Sequence, residues 1–590
     1  MSIDIETYRL KAQEAIEYVF VKEYHNSLGI PMPIVKMLLP DDANYSTGQY
    51  YITIDKTWQI HLNFGKLPIS YHEFQNEVKV LTRHEIEHYM CCPFDVITHF
   101  RMLKRIRDVY YKHFSHLGIN IKYACGAISN QAADIIVDTK NYYRHSKETL
   151  KSEIDWIKIG ANISACPRHC KLMFLTKEAI WKEDLGINET DPEFLKIVHQ
   201  LADSFTKNGI EDKSSFLDKV EEYAEIFFKL YVEDQKNPQQ SSQQGSQQQS
   251  DQQGSQQQSG QQGPQQQSGQ QGSQQQSGQQ GSQQQSGQWG VGRPKDGDEH
   301  GNAFVFADPD KVKEAIEVLA EETSVEEFID LLAIAGIIGM SDKQKGVLWF
   351  NVQSANIIPI VEFSNTGNKS SYTYPSVWRI GDPIEELDLM LTYMTSPRLI
   401  PGMTTKKWEY VSNDDNGTES KQMDLLLVVD TSGSMGSAMK ESANMHQAVL
   451  ASYGILSYFE STKSKVAFIG FSDKIDAYVD WSDKYDDVRE RLLTNGHGGT
   501  KFPISRIKST LDVRSRDLVT VLITDGDLGN INESVSYFRD YLNDDNKLYI
   551  FLLGGSKSLH SYEPLKNIGA KIYNANNANE FCDMVLTDME

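Results

Sequence analysis

Residues 84–88 read His-Glu-Ile-Glu-His. On a helix, positions i and i+4 share a face, so His84 and His88 can hold one Zn2+ while Glu85 reaches the activated water as general base. Zinc lowers the pKa of such a water toward neutrality, which makes the expected chemistry hydrolysis. With 15 His and 81 acidic residues among 590, the pattern arises by chance only about 0.05 times. A catalytic zinc of this kind needs a third protein ligand. The stretch Ser129–Asp138, SNQAADIIVD, puts Asn130, Asp134 and Asp138 on one helix face at four-residue spacing. Asp134 is the first candidate, because Ala132 and Ala133 allow a second helix to approach closely and a carboxylate buried there needs a cation. Asp138 would then orient a histidine from outside the ligand set. The reverse assignment, or Asn130 as third ligand, stays open.

A second constellation lies near the other end of the chain. The apolar run Leu425–Val429 leads into Asp430-Thr431-Ser432-Gly433-Ser434, a D-x-S-x-S loop. Gly498-Gly499-Thr500 and then Thr524-Asp525-Gly526 follow in order. Asp430, Ser432, Ser434, Thr500 and Asp525 are hard oxygen donors suited to Mg2+, with Mn2+ or Ca2+ as substitutes. Hydroxyl ligands add little negative charge, so an ion held there stays electrophilic and can accept a carboxylate from a partner.

These residues need elements to position them. Tyr50–Asp55 and Trp58–Asn63 alternate as two strands joined by a short turn, and a helix is predicted from about Tyr71 to Cys91. Residues 310–340 read as two helices, the second entered through Thr323 and Ser324. From Asp424 onward, buried-strand runs (DLLLVVD, KVAFIGF, LVTVLITD, KLYIFLL) alternate with helical spacers, which predicts an open parallel α/β sheet. Sites in such sheets form at the carboxyl ends of strands, where the D-x-S-x-S and TDG loops fall.

Between these regions, residues 237–288 hold 28 Gln, 11 Ser and 9 Gly in 52 positions and no aliphatic or aromatic side chain. The unit GSQQQSGQQ recurs every nine residues from Gly254, Gly263, Gly272 and Gly281, with a looser copy from Gly245. A β-helix would need an inward apolar side chain in each turn, so the tract reads as a disordered linker with a root-mean-square span of about 40 Å. The domains expected are therefore 1–236 with the zinc motif, 237–298 as linker, 299–415 as a helical and β extension, and 416–590 as the α/β domain.

The order of an HExxH motif, an NxAAD-like stretch (Asn130 to Asp134) and a C-terminal metal-binding α/β domain resembles bacterial and archaeal zinc metallopeptidases with a von Willebrand factor A (VWA)-like domain. That resemblance implies an α+β zincin-like N-terminal domain in which His84, His88 and Asp134 bind zinc and Glu85 is the base. It also implies a doubly wound, Rossmann-like VWA domain whose metal-ion-dependent adhesion site is Asp430, Ser432, Ser434, Thr500 and Asp525. The segment Tyr374 to Val411, with Trp378–Pro383 (WRIGDP), is similar to the region before the VWA domain in CoxE-like proteins. Those proteins are often paired with MoxR-type AAA+ ATPases, which makes such an ATPase, or a protein substrate, the partner to expect. The other reading is a non-catalytic VWA adaptor or regulatory subunit of that ATPase.

Composition narrows the alternatives. A net charge of −23 argues against nucleic acid as a partner, which needs clustered cations. The N-terminal segment lacks a secretory apolar core, and Phe328–Met340, the longest apolar-rich run, is too short to cross a bilayer. Six cysteines are too few for a disulfide framework, and free thiols in a reducing cytoplasm are expected, with Cys166 and Cys170 a lesser candidate for metal. No G-x-x-x-x-G-K-[ST] loop occurs, so ATP hydrolysis by this chain is not expected.

Overall fold

The structure, a computed structural model, describes residues 5–25, 28, 32, 34–37, 50–54, 59–64, 70–160, 163–236, 309–337, 340–355, 372–377, 406–410 and 423–575, the last range without 515–516, 527, 545 and 555–558. The expected linker and the Trp378–Pro383 motif lie outside the described residues. The chain divides into two compact units, residues 1–319 with 330–338, and residues 320–329 with 339–590. The first is mainly helical and the second is built on a six-stranded mixed α/β sheet.

In the first unit, α1 (Ile5–Glu17) precedes a small sheet of β1 (Ile34–Met37), β2 (Tyr50–Ile54) and β3 (Gln59–Phe64). Its order is β1-β3-β2, with β1 and β3 parallel and β2 antiparallel to β3. The two strands expected at 50–55 and 58–63 thus pair with each other, and β1 is an addition. The helices α2 (Tyr71–Met90), α3 (Val96–Val109), α4 (Ile121–Gly160), α5 (Arg168–Trp181), α6 (Pro192–Thr206) and α7 (Phe216–Lys236) follow.

Helix α2 begins at a capping box: the Ser70 hydroxyl accepts from the Glu73 amide while the Glu73 carboxylate accepts from the Ser70 amide. One apolar stripe of α2, Phe74, Val78 and Ile86, packs with Ala12, Ala15, Ile16 and Val19. The opposite side of α2 is polar and faces α4. There Ser152 donates to Glu77 at 2.7 Å, and the buried Arg83 pairs with Glu23 at 2.6 Å and with Glu148. The Arg83–Glu148 pair ties α2 to α4, with the glutamate half-exposed. Helix α4 breaks at His145 (φ −135, ψ 48), so Asn130, Asp134 and Asp138 all lie on its straight N-terminal part.

The later helices are α8 (Pro309–Glu322), α9 (Val325–Ile334) and α10 (Asp342–Ala355). Ser324 caps α9 by accepting from the Glu327 amide. Strands β4 (Tyr372–Val377) and β5 (Lys406–Tyr410) form an antiparallel pair. The main sheet contains β6 (Asp424–Asp430), β7 (Val466–Phe471), β8 (Ile475–Ser482), β9 (Leu518–Thr524), β10 (Lys547–Leu553) and β11 (Lys571–Ala575). Their order is β11-β10-β9-β6-β7-β8. The chain winds outward from β6 to β8, then returns to the other side of β6 and winds outward again. Its helices are α11 (Asn444–Ser461), α12 (Tyr485–Leu492), α13 (Ile504–Leu511), α14 (Val535–Asn543) and α15 (Leu559–Lys566).

The sheet is mixed rather than all parallel: β8 runs antiparallel to β7. The sequence conceals this strand because only Ala477 of β8 is buried, so IDAYVDWS lacks the apolar run of its neighbours. In β6, β7 and β9, by contrast, nearly every side chain is buried. Also in this unit, Trp349 and Phe350 of α10 pack their rings against His446 of α11 at 5.4 and 5.2 Å.

Candidate metal centres

His84 and His88 project from α2 toward Asp134 on α4, and all three are buried. Their ligand atoms form a small triangle. His84 Nε2 lies 3.1 Å from His88 Nε2 and 3.4 Å from Asp134 Oδ1, and His88 Nε2 lies 3.3 Å from that same oxygen. A tetrahedral ion with donors about 2.0–2.1 Å away requires donor separations of about 3.3–3.4 Å, so the triangle has the size of one face of a tetrahedral metal site.

The remaining polar atom of each candidate ligand is held elsewhere. His84 Nδ1–H donates to Asp138 Oδ1 at 2.6 Å, and His88 Nδ1–H donates to the Cys92 carbonyl at 2.8 Å. Asp134 Oδ2 accepts from Asn130 Nδ2 at 3.0 Å. With both Nδ1 atoms used as donors, both Nε2 atoms present lone pairs. Two lone pairs and a carboxylate oxygen converging in a buried space repel unless a cation lies between them. The same convergence favours a proton: burial opposes a charged His84 ring, but Asp138 and Asp134 overcome it and raise His84 to about 10. Burial likewise opposes the charge on Asp138, yet Lys177 and His84 hold its carboxyl well below the usual range.

Two glutamates stand between the histidines, and their surroundings separate them. Glu87 receives Lys140 Nζ at 2.7 Å, Arg144 Nη1 at 2.8 Å and the Tyr24 hydroxyl at 3.0 Å. Glu87 is committed to these partners. Glu85 is also buried, at 2% exposure. Lys177 on α5 was invisible to sequence reasoning, since no spacing links it to a motif 90 residues earlier; its contact with Asp138 arises only from helix packing. The Cys92 carbonyl escaped notice for a simpler reason, that backbone atoms carry no sequence signal.

The second constellation sits where the winding of the large sheet reverses, between β6 and β9. Asp430, at the end of β6, is fully buried and accepts from the Ser432 amide at 2.9 Å and the Thr524 hydroxyl at 2.7 Å. Ser432 Oγ lies 3.1 Å from Ser434 Oγ, which donates to Asp525 Oδ1 at 3.0 Å. Adjacent ligands of an octahedral Mg2+ at 2.0–2.1 Å are separated by about 2.9–3.0 Å, so these oxygens fit such an ion. Asn444, at the start of α11, donates to the other Asp525 oxygen at 3.1 Å. Burial pushes the Asp430 carboxyl up, hydrogen bonds from Thr524 and Ser432 oppose the rise, and Asp525 adds to it.

Thr500 lies two residues after Gly498, in the loop that precedes α13. Gly433 donates its amide to the Gly498 carbonyl at 3.3 Å, which joins that loop to the D-x-S-x-S turn. Gly496 permits the approach: a Cβ there would meet Asp476 Oδ2, the Thr431 carbonyl and Thr431 Oγ1 at 2.4–2.6 Å. Gly496 and Asn444 are residues at this cluster that the motif alone does not contain. Cys166 and Cys170, like the other described cysteines Cys91, Cys92 and Cys125, form no disulfide, and His169 between them pairs with Asp234 at 2.8 Å.

No family model and no curated protein matches this chain. Among solved structures, the conserved hypothetical protein BatB from Bacteroides thetaiotaomicron is similar at a TM-score of 0.24 and 13% identity, over 28% of this chain and 97% of that one. No helix among the described residues is long and apolar enough to cross a membrane.

Proposed function

We propose that the chain is a zinc-dependent metallopeptidase, zincin-like in its first unit, with a VWA domain that recruits a protein through Mg2+. The observation that carries the reading is the buried triangle of His84 Nε2, His88 Nε2 and Asp134 Oδ1, in which the other polar atom of each residue is already held. When bound, zinc supplies Lewis acidity and makes water nucleophilic near neutral pH. Asp138 and the Cys92 carbonyl keep both imidazoles in the tautomer that donates through Nε2, and Asn130 steadies Asp134. Glu85 is the carboxylate assigned to take the proton of the attacking water and deliver it to the leaving amine. Glu87 is unsuited to that role because two cations and a tyrosine hold it.

In the second unit, Asp430, Ser432, Ser434, Thr500 and Asp525 are assigned to a Mg2+ whose open position takes a partner's carboxylate. A protein substrate or a MoxR-type AAA+ ATPase in the cytoplasm is the partner this reading expects. One observation favours the non-catalytic alternative: His84, His88, Asp134 and Glu85 are all at most 5% exposed, as the donors of a structural ion would be.

Glu85→Gln separates the two. On the peptidase reading, the variant keeps about one zinc per chain and loses cleavage of an unfolded test protein. If the wild-type chain binds zinc but cleaves nothing under any tested condition, the adaptor reading stands. If Glu85→Gln cleaves as well as wild type, the base is misassigned.

A further inference from the structure

Lys177 is a cation buried to 2% exposure in the first unit, and no motif accounts for it. Its Nζ donates to Asp138 Oδ2 at 2.9 Å and to Glu153 Oε1 at 2.5 Å, and it lies over the Phe174 ring at 5.3 Å from the centroid. Asp138 is therefore bridged: one oxygen takes the Lys177 ammonium and the other takes His84 Nδ1–H. The chain of contacts runs from α5 through α4 to α2 and ends at a candidate zinc donor.

We propose that Lys177 is a positioning residue for the metal centre, acting through Asp138 on His84. The inference rests on the reading of His84, His88 and Asp134 as a metal site. Its physical basis has two parts. A carboxylate accepting from one side only can rotate about its Cβ–Cγ bond, whereas one held at both oxygens is fixed in the plane that receives Nδ1–H. The lysine also occupies Asp138 Oδ2, so Oδ1 is the oxygen left to accept from His84 Nδ1–H, which leaves the Nε2 lone pair facing the other donors. Glu153 balances the lysine charge, which allows Lys177 to remain buried when Asp138 is engaged with His84.

The experiment is a double-mutant cycle on the full chain, with Zn2+ affinity measured by chelator competition and the visible spectrum of the Co2+-substituted protein as second readout. Lys177→Met is expected to weaken Zn2+ binding by about 10–100-fold, the usual effect of losing an outer partner, and to shift the Co2+ bands. In an Asp138→Asn background, Lys177→Met is expected to have no further effect, because the lysine no longer has a carboxylate to hold. Lys177→Gln, which keeps a donor without the charge, is expected to show an intermediate loss; it serves if Lys177→Met does not fold. Wild-type affinity and spectrum in the lysine variants would overturn the proposal, as would an equal loss in the Asp138→Asn background. A wild-type chain that binds no Zn2+ would overturn the metal-site reading itself, a result distinct from a zinc site indifferent to Lys177.

Discussion

Asp134→Asn tests the assignment of the third donor most directly. The substitution keeps the shape of the side chain and the contact to Asn130, but it replaces the oxygen facing both Nε2 atoms at 3.3–3.4 Å by a neutral amide. Loss of an outer partner weakens a metal site about 10–100-fold, so loss of the only charged donor among the three is expected to weaken it by at least about 1,000-fold. At a free Zn2+ concentration about 100 times the wild-type dissociation constant, wild type gains about 2.7 kcal/mol, whereas a site about 1,000-fold weaker gains less than about 0.1 kcal/mol. For a domain of about 150–250 residues, at about 2–4 °C per kcal/mol, the wild-type gain raises the zinc-responsive melting transition by about 5–11 °C. The variant's shift is expected to be too small to detect. In chelator each protein supplies its own metal-free baseline, against which its zinc shift is read. The assay is differential scanning fluorimetry with Zn2+ and with chelator. A full zinc shift in Asp134→Asn would refute the assignment. If Asp138→Asn abolishes the shift while Asp134→Asn preserves it, the two carboxylates have exchanged roles.

Two further outcomes are expected. Asp430→Ala should remove the Mg2+-dependent thermal shift and the capture of a protein partner while leaving small-peptide hydrolysis unchanged; capture that survives would make the second ion a brace for its loops. Burial opposes the charge on Asp234, but His169 and Arg168 outweigh it and lower its carboxyl. A depressed folded value means this contribution is fully present above the unfolded value near pH 4 and is lost as the pH falls through the lower folded value. Asp234→Asn is therefore expected to cost about 1–3 kcal/mol at pH 7 and to flatten the acid limb of stability in urea melts across pH 2–6, whereas an unchanged acid limb would contradict the assignment.

The legible parts of this protein are those whose physics is local. His84 and His88 share a face because helix pitch alone puts i and i+4 together, and Ser70 with Glu73 announces the start of α2 within four residues. Strands β6, β7, β9 and β10 are readable because burial on both faces demands continuous apolar runs. Strand β8 was not, since an edge strand with one buried side chain has no such demand. Asn130, Asp134 and Asp138 share a face by spacing, but spacing does not say which carboxylate oxygen meets the histidines.

That choice belongs to the packing of α2 on α4, which directs Asp134 Oδ1 to the two Nε2 atoms and Asp138 Oδ1 to an Nδ1. Packing also commits Glu87 by bringing Lys140, Arg144 and Tyr24 to it, which spacing along α2 does not reveal. Sequence by itself determined which residue types stand at helical and loop spacing, because bond geometry over a few residues is nearly invariant. Tertiary structure decided the partners of those residues, Lys177 and the Cys92 carbonyl among them, because contacts between distant segments depend on how whole helices bury their apolar stripes and satisfy the charges left between them.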